Sequence, residues 1–157
     1  MRDNYILFTV ASTMYGLSSH DVAHVELVEN VTRVPNAPPY VDGVVFSRGA
    51  VVPAVSLRAR FGFERAAYDA RTRLIVAQQG DRSVGLIVDS AREFVTIPPG
   101  LIQPPAEGLT GTTGRYLRGV AIVADRMILI LDIAELLKID DFVPAAGEAA
   151  LQIPQEK

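Results

Sequence analysis

Short apolar runs, separated by glycine or charged residues, follow one another along most of the chain. Clear examples cover residues 5–11, 44–46, 51–55, 84–88 and 127–131. Valine and isoleucine together supply 30 residues, and branching at Cβ favours the pleated backbone of a strand. Runs of this length with short polar spacers are typical of hairpins in small β-barrels, so the pattern predicts an all-β protein.

Helical periodicity is clear at only one place, near the C-terminus. Asp132 can cap a helix, Glu135 follows three residues later as in a capping box, and apolar residues stand with helical spacing at 133, 136 and 137. The pattern predicts a short C-terminal helix over 132–139. Residues 141–157 are predicted to form a loosely attached, flexible tail.

Two stretches of the chain resemble each other. Residues 40–57 align without gaps with residues 116–133, at an offset of 76, and Gly43 then matches Gly119. The candidate helix caps Ser56 and Asp132 also coincide. A weaker match, at an offset of 69, places residues 5–17 over roughly 73–86. Apolar hairpins resemble one another by chance, so coincidence stays open as an alternative.

If the repeat is real, the chain is one domain over 4–138, built from two halves at roughly 5–60 and 72–133. Each half would form a small barrel, and the possibility that the halves exchange strands is left open. The groove between the barrels is then the expected binding surface.

Composition narrows the function classes. The 157 residues are 49% hydrophobic and 21% charged, as is typical of a globular protein. The net charge of −3 favours neither nucleic-acid binding nor binding to a membrane surface. Cysteine is absent, which excludes disulfides, thiolate metal sites and cysteine nucleophiles. With no signal pattern and no long apolar run, the expected location is the cytoplasm.

Three features of the sequence bear on possible metal, nucleotide or catalytic chemistry. In each case an interpretation without such chemistry is preferred. His20 and His24 have the i, i+4 spacing of zinc ligands but lack a third ligand, so a polar turn is preferred. The loop at 108–114 has three glycines but no preceding strand and no Walker lysine. No serine or threonine stands in a catalytic motif, so neither an enzyme nor a cofactor is expected.

A fourth pattern is a cluster of arginines between 58 and 73. Five arginines in 16 residues suggest nucleic-acid binding as a function of another class, a small β-barrel that binds nucleic acid. The net acidic charge opposes this. A linker between the halves or an acidic protein partner is the preferred interpretation.

The run PPYVDGVVFSRGAVVPAVSLRARFG, at 38–62, resembles the central signature of the CheW-like family of chemotaxis coupling (adaptor) proteins. Further elements match in family order at 84–91, 97–105 and 116–137. The resemblance covers residues 4–138, almost the whole chain. Several motifs in series make it far more specific than any single pattern above.

The resemblance implies two SH3-like, five-stranded β-barrels packed together, with a short C-terminal helix. It implies a non-enzymatic scaffold without cofactor or metal that couples chemoreceptors to a chemotaxis-type histidine kinase. The implied partners are the regulatory domain of that kinase and the cytoplasmic tips of chemoreceptors. It implies neither nucleic-acid binding nor membrane insertion, and a cytoplasmic protein recruited to receptor arrays through its partners. A related pathway controlling pili, surface behaviour or a second messenger is the alternative.

The family's functional positions transfer residue by residue. The receptor-binding positions implied by the resemblance are Val22, His24, Val25, Arg48, Val51, Gly85 and Phe94. The implied kinase-binding positions are Thr72, Arg73 and Leu74. The glycines expected to form structural turns are Gly43, Gly49 and Gly119.

Two departures from the family pattern affect this transfer. Phe46-Ser47 stands where the family has Asn-Leu, and His24 replaces a glutamate. If that glutamate pairs with the arginine of the R-G turn, Arg48 has lost a fixed anionic partner. Glu26 is a candidate substitute if no bulge separates it from His24. A histidine here also predicts receptor binding that depends on pH near neutrality.

Overall fold

The structure, a computed structural model, describes residues 3–105 and 113–138. The predicted tail at 141–157, position 139 of the predicted helix and positions 108–112 of the glycine-rich loop lie outside the described residues. Eleven strands and two short helices are present: β1 (Asp3–Val10), β2 (Thr13–Ser18), β3 (Val22–Leu27), β4 (Val41–Ser47), β5 (Ala50–Ser56), α1 (Leu57–Arg60), β6 (Arg73–Gln79), β7 (Arg82–Val88), β8 (Ser90–Ile97), β9 (Ile102–Gln103), β10 (Leu117–Val123), β11 (Arg126–Leu131) and α2 (Ile133–Leu136).

The strands form two sheets, which agrees with the predicted fold of two SH3-like barrels. One sheet has six strands in the order β8-β1-β2-β11-β10-β9, and the other has five in the order β3-β6-β7-β5-β4. Each sheet combines strands from both halves of the sequence. Parallel pairing joins β2 to β11 and β5 to β7, so these two contacts lock the halves into each other.

Both sheets close into barrels in the same way: a segment that follows the strand at one end pairs with a strand at the other end. After β3, Thr32 exchanges two backbone hydrogen bonds with Val44 of β4, at 2.9 and 2.8 Å. In the other sheet, β9 follows β8 and pairs with β10. β9 is therefore the counterpart of the Thr32 bridge. It gives this sheet six strands, whereas five were expected for each barrel.

Gly43 and Gly119 permit these closures. The sequence predicted both glycines in turns, but they lie inside strands. Each lies at a register shift inside a strand. A Cβ on Gly43 would stand 2.1 Å from the carbonyl oxygen of Thr32, and one on Gly119 would stand 2.8 Å from that of Gln103. Both positions need glycine because the backbone of the closing segment lies against them.

Gly49 does lie in a turn, as expected. It follows Arg48 between β4 and β5, and both residues have positive φ, 85° and 49°. The hairpin between β10 and β11 has the same geometry at Ala124 and Asp125, with φ of 51° and 65°. Two-residue turns of this kind match the twist of the strands that they join.

Three hydrophobic cores hold the fold together. On β1, Tyr5 and Leu7 point into the core of the six-stranded sheet, whereas Ile6 and Phe8 point into a central core shared by both sheets. The five-stranded sheet has its own inner core, which includes Leu74. Strands that are buried on both faces explain the continuous apolar runs of the sequence.

Helices α1 and α2 follow the last strand of each repeat and are capped alike. Asp132 Oδ1 accepts hydrogen bonds from two N–H groups of the first turn of α2, at 2.9 and 3.3 Å. The predicted capping box forms only in part, because the Asp132 N–H donates to the carbonyl of Tyr116 while Glu135 pairs with Lys138. The described helix is shorter than the predicted one and ends at Leu136. Among the described residues, no helix is long and apolar enough to cross a membrane.

A candidate protein-docking surface

A polar cluster joins β3 to the end of β4. His24 Nε2 lies 2.6 Å from Glu26 Oε2 and 2.9 Å from Ser47 Oγ, and the Ser47 hydroxyl donates to the same glutamate oxygen at 2.5 Å. A register shift separates Val22 from His24, whereas His24 and Glu26 follow each other without a break, so both point the same way. Glu26 thus stands beside His24, as the substitute interpretation requires, but its carboxylate binds His24 and Ser47 and forms no described ion pair with Arg48.

The charges around this cluster favour an ionised Glu26. The Ser47 hydroxyl, then the hydrogen bond and charge of His24 and the charge of Arg48, lower the pKa of the Glu26 carboxyl below its usual value. Within the described chain, no residue forms an ion pair with Arg48. Its guanidinium is exposed on the β4–β5 turn and acts on Glu26 only through its field.

The same hairpin presents an aromatic ring to solvent. Phe46 is 74% exposed on β4, directly opposite the partly buried Val51 of β5. An exposed phenylalanine beside an arginine that has no ion-pair partner among the described residues is a combination typical of surfaces where proteins bind one another. Arg48 and Val51 are thus brought together at one hairpin tip, with His24 beneath it.

The other receptor-binding candidates are spread over both sheets. Val22 and Val25 are half-buried on β3 and pack against the central core. Phe94 is 61% exposed on β8, the edge strand of the six-stranded sheet. Gly85 is buried under Leu74, so it can only support the surface and cannot contact a partner.

The kinase-binding candidates are less accessible than the sequence suggested. β6 is an interior strand, paired on one side with β3 and on the other with β7. Leu74 is 1% exposed and Thr72 is 7% exposed, with the Thr72 hydroxyl accepting a hydrogen bond from Asp69 N. Arg73 is half-buried and donates to the carbonyls of Ala70 and Thr72. Of the three, Arg73 alone offers a side chain that reaches the surface.

Most arginines of the cluster between 58 and 73 form contacts inside the protein. Arg58 forms a bidentate pair with Asp89, and Arg65 pairs with Asp42. Arg60 is buried, with its guanidinium over the ring of Tyr40 at 4.2 Å. This arrangement does not present the continuous basic face that a phosphate backbone needs.

The histidine pair does not converge on a common point. His20 lies in a single 3₁₀ turn over Ser19–Asp21, whereas His24 lies in β3 and is held by Glu26. The described part of the chain contains no group of three or more metal-ligating side chains. The polar-turn interpretation fits His20, whereas His24 lies in a strand.

Sequence reasoning missed a second exposed hairpin tip. Ile122 is 52% exposed and faces Met127, which is 60% exposed, across β10 and β11. The repeat offset of 76 maps Phe46 onto Ile122 and Val51 onto Met127. That offset was the signal that could have found them.

Two interlocked β-barrels that expose apolar residues on matching hairpins define a scaffold suited to docking other proteins. The chain belongs to the CheW-like family, because the family model described as a CheW-like domain matches residues 4–141.

Individual relatives agree with this assignment. The chain is 31% identical over 137 residues to the chemotaxis protein CheW of Klebsiella aerogenes, covering 87% of this chain and 82% of that protein. It is 28% identical over 139 residues to Protein FrzA of Myxococcus xanthus, covering 87% and 86%. The crystal structure of the scaffolding protein TtCheW from Thermoanaerobacter tengcongensis superposes with a TM-score of 0.81 at 28% identity, covering 89% of this chain and 95% of that chain.

Proposed function

We propose that this chain is a non-enzymatic adaptor that couples chemoreceptors to a chemotaxis-type histidine kinase. The observation that carries the proposal is the β4–β5 hairpin, where Arg48 and Phe46 are exposed on a family-matched motif with no described ion-pair partner for the arginine. The adaptor acts in the cytoplasm and reaches receptor arrays through its partners. Relatives include a chemotaxis protein and Protein FrzA, so outputs other than motility fit the same scaffold.

The receptor-binding surface in this proposal is built around Arg48, with Phe46, Val51 and the exposed Phe94 as apolar contacts. Arginine and aromatic residues at the centre of an interface contribute most of its binding energy. Glu26 holds His24 in place and leaves the guanidinium of Arg48 available to an acidic side chain of the receptor.

The kinase-binding surface in this proposal lies at the start of β6, around Arg73. Leu74 contributes from inside by shaping the strand on which the surface depends. An interface of about 800 Å² per partner can give an affinity near one micromolar and still hold in an array, because many such contacts act together.

Two arginine variants test whether the receptor and the kinase bind to separate surfaces. Binding of the full chain to a chemoreceptor cytoplasmic fragment and to a kinase regulatory domain, both from the genome that encodes it, is measured by titration. Arg48→Ala is expected to weaken receptor binding about tenfold and leave kinase binding unchanged, and Arg73→Ala to do the reverse. Arg118→Ala, an exposed arginine on β10, is the matched control.

Two results would overturn this assignment of surfaces. One is equal receptor affinity for the wild-type chain and Arg48→Ala. The other is loss of both partners in either variant while its circular dichroism spectrum stays native.

A further inference from the structure

A large cleft lies away from the β4–β5 hairpin, between the segments 31–42, 65–72 and 87–92. Its volume is about 1080 Å³, enough for a ligand the size of a nucleotide. None of the proposed receptor-binding residues lines it. The cleft is therefore separate from the proposed receptor-binding surface.

Positive charge dominates the lining of this cleft. Among the described residues, six arginines and three aspartates line it. The aspartates are already engaged: Asp89 with Arg58, Asp42 with Arg65, and Asp69 with the N–H of Arg71. Asp89 and Asp42 therefore have guanidinium partners, whereas Asp69 is held by the backbone N–H of Arg71 and the hydroxyl of Thr72 and forms no described ion pair.

Three guanidinium groups are left over. Arg33, Arg71 and Arg92 are exposed in the cleft, and none makes an ion pair or a side-chain hydrogen bond with residues 3–105 or 113–138. They come from three separate segments, so a ligand between them can be held from several sides. Planar guanidinium groups bind the oxygens of carboxylate and phosphate in bidentate fashion, and a ligand with two or three phosphates offers enough charged oxygens for three arginines at once.

The cleft also has an apolar side with an aromatic ring. Tyr68 is 45% exposed there, and its hydroxyl donates to Asp42, which fixes the ring. Pro38 and Ala66 also line this side. A fixed, half-exposed ring offers a flat face for stacking a nucleobase.

We propose that this cleft binds a nucleotide, with Arg33, Arg71 and Arg92 holding its phosphates and Tyr68 stacking on its base. The mixed lining distinguishes this ligand from a bare anion, which has no use for the ring. Because Thr72 lines the cleft, bound nucleotide lies next to the proposed kinase-binding surface at Arg73.

Titration calorimetry on the full chain tests the proposal, with ATP, GTP, a cyclic dinucleotide and inorganic pyrophosphate as probes. At least one nucleotide is expected to bind about tenfold or more tightly than pyrophosphate. Arg33→Ala and Arg92→Ala are each expected to weaken it about tenfold, and Arg118→Ala, an exposed arginine outside the cleft, to leave it unchanged. Thermal melts check that each variant is folded.

Two tyrosine variants separate stacking from charge. Tyr68→Leu is expected to weaken nucleotide binding and leave pyrophosphate binding unchanged, whereas Tyr68→Phe keeps the ring and the affinity. The proposal is overturned if no nucleotide binds at millimolar concentration, if pyrophosphate binds as tightly as every nucleotide, or if the cleft arginines make no difference. Binding of an acidic peptide in place of nucleotide at these arginines would also overturn it.

Discussion

Gly43→Ala tests whether the Thr32 bridge closes the five-stranded barrel. A Cβ at Gly43 would stand 2.1 Å from the Thr32 carbonyl oxygen, and this φ of 152° is one that alanine rarely adopts. Because the clashing atom is backbone, it cannot swing away as a side-chain end can. The segment that carries Thr32 must therefore move off Val44.

The cost of that movement can be worked from the structure. Loss of the two hydrogen bonds between Thr32 and Val44 costs about 1–3 kcal/mol, and a disfavoured backbone conformation adds roughly 1–3 kcal/mol. Gly49→Ala is the matched control, since Gly49 also has positive φ but nothing within 4 Å of its would-be Cβ. That variant is expected to cost only about 1 kcal/mol.

Urea denaturation followed by circular dichroism measures both variants, and hydrogen exchange reports on the bridge itself. Gly43→Ala is expected to lose at least about 1 kcal/mol more than Gly49→Ala, and the amides of Thr32 and Val44 to lose protection. Equal destabilisation of the two variants, with both amides still protected, would refute the proposed closure.

Three further predictions concern single contacts. Arg60→Ala removes the stacking on Tyr40 and a hydrogen bond to the carbonyl of Lys138, and is expected to cost roughly 2–4 kcal/mol in urea denaturation; a loss below about 0.5 kcal/mol would contradict it. Asp132→Ala removes the cap of α2 and is expected to cost about 1 kcal/mol, with Asp132→Asn retaining most of it; equal losses in the two would contradict the cap. Because the folded-state pKa of Glu26 is lowered, its contribution to stability is present above the pKa of the unfolded chain and lost as pH falls through the folded value; Glu26→Gln should flatten the decline in melting temperature below about pH 4.5, and an unchanged acid limb would contradict this.

The sequence contained the internal equivalences of the fold but not the way in which the halves combine. The offset of 76 pairs Gly43 with Gly119 and Ser56 with Asp132, and the structure uses both pairs alike. Strand exchange could not be predicted, because the parallel contacts of β2 with β11 and β5 with β7 depend on sheet register between distant segments.

The candidate surface also combines features that the sequence predicts locally with contacts that depend on the complete fold. Exposure of Arg48 follows from its place in a two-residue turn, which the R-G pair indicates locally. The contact of His24 with Ser47 joins residues 23 apart and exists only because the barrel closes. Burial of Leu74 was indicated by the unbroken apolar run at 74–77, a pattern of strands covered on both faces, but the family position drew attention to a partner instead.

The exchange of strands between the halves has a mechanical consequence. Force applied to one barrel passes into backbone hydrogen bonds of the other, since paired strands connect the two barrels within the described residues. A protein built in this way is expected to transmit a displacement between its two ends more directly than two barrels joined by a flexible linker. Because each half of the chain supplies strands to both barrels, a chain cut between residues 61 and 72 yields two fragments that each lack strands of both barrels. Neither fragment is expected to regain the native structure unless the other is present.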